Sequence, residues 1–210
     1  MKRHRLKHIV TMVLLAGIVM SQAFHAESAS AAGRTKSIGD VIAGKMKADR
    51  YAKEGTLTKE NCSYFGVKRK GDIVIPKKVR RIGAMSFLDC SKVTSVKIPK
   101  GVKEIGSSAF ESCVHLKKVT MANSVRIIDN FAFAGCYQMT SINISNKTET
   151  IGVYAFEECR SLRSIKIPKS VEYICDGAFY NCPKLKKIIW HGHTFKSVDQ
   201  FMTVFEAEQE

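Results

Sequence analysis

The sequence predicts an α/β repeat solenoid: five coils of 23 residues, each holding short strands and a single helical turn, with a cap at either end. Three periodicities carry that prediction. Cys90, Cys113, Cys136, Cys159 and Cys182 recur every 23 residues, as do Phe87, Phe110, Phe133, Phe156 and Phe179, and Ile82, Ile105, Ile128, Ile151 and Ile174. The units 75–97, 98–120, 121–143, 144–166 and 167–189 align without one insertion. A unit this short cannot bury its apolar side chains alone, so neighbouring coils must bury them for one another.

The chain opens on a basic stretch, Met1 to His8, followed by twelve apolar residues, Ile9 to Met20, and the small-residue sequence Ala29-Ser30-Ala31. This is the pattern of a secretory signal peptide over 1–31. Twelve apolar residues are too few to cross a bilayer, which takes about 20, so no membrane span is expected after cleavage. Taking 4 of 34 basic and 1 of 19 acidic residues away with this segment leaves a net charge of +12. Residues 32–74 read as an N-terminal capping region. Ile38, Val41, Ile42 and Met46 have helical spacing, which predicts a helix over 37–53. Two extended stretches around Arg69-Lys70-Gly71 predict a hairpin over 62–76.

Within the repeat, apolar residues occupy the first, fifth, eighth, thirteenth, nineteenth and twenty-second places. The alternation from Leu116 to Met121 is a short strand, and Val102 to Ile105 is a second extended piece closed by Gly106. The Ser-Ala-Phe-Glu-Ser-Cys stretch between them predicts one helical or 3₁₀ turn with Phe and Cys facing inward. Strands stack about 4.8 Å apart, so five coils make a rod of roughly 25 Å. Residues 190–210 form the C-terminal cap. His191-Gly192-His193 is a turn, and Ser197 with Gln200 three residues on opens a helix over 198–208, with Val198, Phe201, Met202 and Phe205 on one face.

The motif I-P-x-x-V-x-x-I-G-x-x-A-F-x-x-C-x-x-L-x-x-I over 75–189 resembles the BspA-like (Treponema pallidum-type) leucine-rich repeats. Ser86 stands in place of Ala, Asp129 and Cys175 in place of Gly, and Thr148 in place of Val. The resemblance implies a right-handed leucine-rich-repeat superhelix carried by secreted or surface proteins. It also implies adhesion or protein binding, with no catalytic chemistry.

The residues offer little else chemically. Zinc sites want closely paired cysteines, whereas a 23-residue period lines up one Cys per coil. The cysteines read as small buried hydrophobes, with disulfides along the ladder as the geometric alternative. His191 and His193 flank a turn without a third ligand, so no metal is expected. No nucleophile elbow, phosphate loop or zinc-protease motif is present. Glu149, Glu157, Glu158 and Glu172 fall at solvent-facing repeat positions. The chain is read as a non-enzyme that needs no cofactor.

Binding is expected on the outward columns of the Leu-x-x-Ile strand. One column is Ser95, Lys118, Ser141, Ser164 and Lys187; the other is Lys97, Thr120, Asn143, Lys166 and Ile189. Neither holds an acid. A second face, Arg80, Lys103, Arg126, Glu149 and Glu172 with Arg81, Glu104, Ile127, Thr150 and Tyr173, runs from basic to acidic. The sequence thus predicts a secreted or cell-surface module that binds a host or neighbouring-cell protein. The alternative is an acidic glycan or other polyanion held by the lysines. Export and the lack of aromatic residues on this face argue against nucleic acid.

Overall fold

The computed structural model describes residues 54–63 and 65–208. The chain divides into two units, Met1–Ala43 and Gly44–Glu210, and the described residues belong to the second. The signal peptide expected over 1–31 and the helix expected over 37–53 lie outside the described residues.

Each coil contributes one strand to each of two sheets. The shorter sheet is built from β1 (Thr56–Leu57), β3 (Arg81–Ile82), β5 (Glu104–Ile105), β7 (Ile127–Ile128), β9 (Thr150–Ile151) and β11 (Tyr173–Ile174), all parallel and in that order. The longer sheet is built from β2 (Gly71–Val74), β4 (Val93–Ile98), β6 (Lys118–Met121), β8 (Ser141–Asn143), β10 (Ser164–Lys166) and β12 (Lys187–Trp190). It is closed by β13 (His193–Phe195), which runs antiparallel to β12.

The six apolar places of each repeat lie in the core. All are buried except Ile174, in the last coil, where no further coil covers it. Phe87, Phe110, Phe133, Phe156 and Phe179 stack as one column, with ring centroids 4.9, 5.3, 5.6 and 5.6 Å apart and planes within 8° of parallel. Such pairs add about 0.5–1.5 kcal/mol each beyond the area they bury. The departures from the motif are satisfied locally. The Ser86 hydroxyl donates to the carbonyls of Gly83 and Leu57, and the buried Thr148 hydroxyl donates to the Val125 carbonyl.

The expected helical or 3₁₀ turn is replaced by tandem type II turns. In the first, the Ser86 amide bonds Gly83 O; in the second, the Cys90 amide bonds Phe87 O. The third residues of these turns, Met85 and Asp89, have φ 56°, the positive sign a type II turn requires at that place. The same two positions recur with positive φ in every coil, at Ser108, Phe131, Tyr154 and Gly177, and at Ser112, Gly135, Glu158 and Asn181. An α-helix is about 10 Å across with its side chains, too wide to repeat at strand spacing, and it uses its amides internally. The turns instead free alternate amides for the next coil, as where Met85, Phe87 and Asp89 bond to Ser107 O, Ala109 O and Glu111 O.

The N-terminal cap also departs from expectation. Residues 62–76 form no hairpin: β2 lies parallel to β4, with Ile73 opposite Val96, and β1 joins β3, with Leu57 opposite Ile82. Residues 56–74 are therefore a sixth coil preceding the five. Its partner spacing is 25 residues in one sheet and 23 in the other, so two extra residues between β1 and β2 hide it from a strict 23-residue comparison. The extra length folds into turns where the Val67 amide bonds Cys62 O, with Phe65 and Val67 buried. At the other end, helix α1 (Val198–Ala207) starts where the sequence places it. Ser197 Oγ accepts from the Gln200 amide, and Phe201 and Phe205 are buried against Trp190. The preceding turn contracts to His191 and Gly192, both at positive φ, and His193 pairs within the hairpin.

Candidate functional site

The longer sheet carries the predicted binding columns in register. Ser95, Lys118, Ser141, Ser164 and Lys187 are successive cross-strand partners, and so are Lys97, Thr120, Asn143, Lys166 and Ile189. Period-2 alternation explains their direction: Val96, Val119, Ile142, Ile165 and Ile188 between them point into the core. Of the nine polar members, Ser95 and Ser164 are half-buried and the others exposed.

The structure extends this surface in two ways. The sixth coil places Asp72 ahead of Ser95 and Val74 ahead of Lys97. The columns therefore begin with a carboxylate, against the acid-free expectation. Hydrogen bonds from Ser95 Oγ (2.6 Å) and Thr94 Oγ1 (2.9 Å) to Asp72 Oδ1 hold that carboxyl below its usual pKa. Continuing the 23-residue count one step back from Ser95 would have found it. A third exposed column precedes these two at the strand entrances, with Thr94, Lys117, Thr140, Arg163 and Lys186. Strand alternation alone would have turned it inward. Its residues sit where the chain enters each strand, outside the regular pleat.

The face thus gathers seven cations, Lys97, Lys117, Lys118, Arg163, Lys166, Lys186 and Lys187, and none has an ion-pair partner among the described residues. On the shorter sheet two of the three acids pair with arginines, while Arg80, Lys103 and Glu172 have no ion-pair partner among the described residues. Arg126 holds Glu149 Oε1 through both Nε (2.9 Å) and Nη2 (2.6 Å), and Arg81 lies 3.4 Å from Glu104. Exposed pairs of this kind contribute at most about 1 kcal/mol, but they leave that face nearly neutral.

Of the other residues weighed for chemistry, the histidines lie at the C-terminal edge of this sheet and the ladder cysteines lie in the core. All seven cysteines are free thiols, six of them buried. Each ladder thiol from Cys113 onward donates to the carbonyl of the Phe in the preceding coil. Burial pushes Cys113 up to about 12, and Cys62 up to about 11. Burial likewise raises Cys136 and Cys159. His191 stacks on Trp190 at 4.3 Å with its Nδ1 3.8 Å from Glu208. Among the described residues no group of three potential metal ligands converges, and no helix is long and apolar enough to cross a membrane.

The architecture matches known proteins. The family described as BspA type leucine rich repeat region matches residues 61–201 in six copies, in agreement with the six coils. Among solved structures, the chain is similar to the leucine-rich repeat protein of T. pallidum at 28% identity and TM-score 0.57, covering 58% of this chain and 59% of that one. A leucine-rich repeat protein from Bacteroides ovatus is 37% identical with TM-score 0.54, over 57% of this chain and 33% of that one. A leucine-rich cell surface protein from Faecalibacterium prausnitzii is 33% identical with TM-score 0.55, over 62% and 34%. The chain thus spans between a third and three fifths of the length of these structures. Among curated proteins no relative matches. Six stacked coils, a shared motif and matching solved folds agree: the chain belongs to the BspA-type leucine-rich repeat family.

Proposed function

We infer that the protein is a non-catalytic, exported interaction module that binds a partner protein through the longer sheet. The observation that carries this reading is the set of seven unpaired cations on that sheet, beside a shorter sheet whose four cations meet three acids, two of them in ion pairs. Unpaired lysines on a rigid, regularly spaced surface hold a positive potential that draws and orients an acidic partner. The hydroxyl and amide positions between them, Thr120, Ser141 and Asn143, offer short-range hydrogen bonds that a purely electrostatic binder does not need. The basic, apolar and small-residue pattern of 1–31 supports export, as does similarity to a protein described as a cell surface protein. Attachment to a host or neighbouring cell is the adhesive form of the same function.

A second reading, an acidic glycan or other polyanion as ligand, is favoured by the same cations. Salt separates the two. A polyanion held by lysines alone is released as ionic strength rises and the screening length shrinks to about 3 Å at 1 M. A protein held also by shape and hydrogen bonds is retained. The test is capture from extracellular-matrix and cell-surface extracts at low and at high salt, with wild type and Lys118→Glu/Lys166→Glu compared. Loss of capture in the variant with unchanged folding supports the surface; equal capture by both proteins removes the long sheet from the function.

A further inference from the structure

At each junction between adjacent coils from β3 onward, one edge of a coil bonds to the next in a fixed pattern. Carbonyls at the short strand accept amides from the following coil, as Arg126 O accepts Glu149 N and Ile128 O accepts Gly152 N. Amides of the tandem turns then donate to it, as Phe131 N, Phe133 N and Gly135 N donate to Val153 O, Ala155 O and Glu157 O. In the last coil the equivalent groups are Glu172 O and Ile174 O, then the amides of Gly177, Phe179 and Asn181, and none of these five has a partner among the described residues. Strand β13 covers the edge of β12, and α1 covers the end of the core, but neither pairs with this edge. Between the turn edge and the first turns of α1 lies a cleft of about 390 Å³, with Gly177, Phe179 and Asn181 on one side and Val198 and Met202 on the other. That volume lies within the range of ligand-binding clefts.

The opposite end of the stack is treated differently. The carbonyls of Ser86 and Leu88, which correspond to Ala109 O and Glu111 O one coil later, accept from Arg69 Nε (2.9 Å) and Nη2 (3.2 Å). Arg69, from the first coil, therefore stands in for turn amides that this coil does not supply. At the open end α1 lies across the core, with Phe201 and Phe205 buried and Val198 and Met202 packed against it, so a complete coil of a second copy has no room to stack there, whereas a single extended segment can enter the cleft.

We propose that the cleft beside α1 receives an extended segment of a heterologous protein, which pairs its main chain with residues 172–181 as a surrogate seventh coil. The pattern of two acceptors followed by three donors fixes its direction as parallel to the coil beneath. The α1 wall of Val198, Asp199 and Met202 offers that segment an apolar surface with one carboxylate. The affinity comes from main-chain pairing, as in other cases of edge addition. The surface is separate from the lysine-bearing sheet, so loss of either interaction leaves the other intact.

The test uses the full chain, isotopically labelled, with the capped peptide of residues 149–158 as probe, because that stretch makes this pairing with the coil below it. With peptide at about ten times its Kd, amide exchange at Gly177, Phe179 and Asn181 is expected to slow about tenfold. Exchange at Phe133 and Phe156, already bonded, stays unchanged. The same peptide N-methylated at Gly152, which removes the donor for Ile174 O, is expected not to bind. Absence of any shift at the three amides, or equal binding of the methylated peptide, overturns the proposal. So does protection that appears without peptide and grows with protein concentration, which would assign the edge to a second copy.

Discussion

The thiol of Cys136 donates to the main-chain carbonyl of Phe110 across the coil boundary, at 3.3 Å. That carbonyl also accepts the Cys113 amide from its own turn, so both of its lone pairs are used. A cysteine at this place fills a small pocket and supplies one donor, which alanine cannot do. Cys136→Ala is expected to lower stability by about 1–2 kcal/mol, the sum of a small cavity and a lost hydrogen bond. Chemical denaturation checks it; a variant as stable as wild type would show that the thiol merely occupies space.

The buried thiols give the protein an alkaline limit. Burial raises the folded pKa from 9.0 to about 11 for Cys62 and about 12 for Cys113, and raises Cys136 and Cys159 as well. The native state therefore holds protons that the unfolded chain has released. Stability from this source is complete below pH 9 and is lost as pH rises towards 12, at up to about 1.4 kcal/mol per pH unit per thiol. Thermal melts between pH 8 and 11 are expected to fall progressively, and replacement of Cys113 by Ala to flatten the decline.

Iodoacetamide at pH 8 is expected to modify Cys175 before the others. It is half-buried, whereas the other six are buried, and only a thiolate with access to solvent reacts. Mass spectrometry after partial labelling reads the order directly. Early modification of Cys136 or Cys159 would contradict the packing.

Positive φ at the turn positions predicts opposite outcomes at two sites. Gly177 has φ 62°, and a Cβ there would collide with the ring of Tyr154 in the preceding coil. Gly177→Ala is expected to cost about 2 kcal/mol from the strained backbone alone. Part of the loss should be recovered in the double variant with Tyr154→Ala, as residues in contact couple. At Ser112, φ is 57° and the residue one coil on is already glycine, Gly135. Ser112→Gly is expected to be neutral or stabilising by up to about 1 kcal/mol, relief of strain being offset by the extra freedom of the unfolded chain.

Arg69→Ala removes two donors from the Ser86 and Leu88 carbonyls. Leaving such groups unpaired costs about 1–3 kcal/mol. The loss is expected at the N-terminal end, so hydrogen exchange should quicken in β1 and β2 before it changes in β8 to β10.

Much of this architecture was legible in one chain because a solenoid repeats its packing problem. Phe87 to Phe179 and Cys90 to Cys182 meet the same neighbours in each coil, so the same side chains recur at a fixed interval. The binding columns followed from the strand period of two, which is why Lys118 and Lys166 lie in the predicted columns. The sixth coil escaped because two extra residues between Leu57 and Ile73 break the count, and Asp72 escaped with it. The tandem turns escaped because Ala-Phe flanked by small residues suits a helical turn equally well. Only inter-coil hydrogen bonding favours positive φ at Met85 and Asp89. The sequence by itself determined the period, the core and which strand residues face out, all local consequences of side-chain size and alternation. The tertiary structure alone decided which charges stay unpaired, how Arg69 closes one end, and that residues 172–181 remain open at the other. Those depend on what lies one coil away, 17 residues distant for Arg69 and Ser86 and 23 for Arg126 and Glu149.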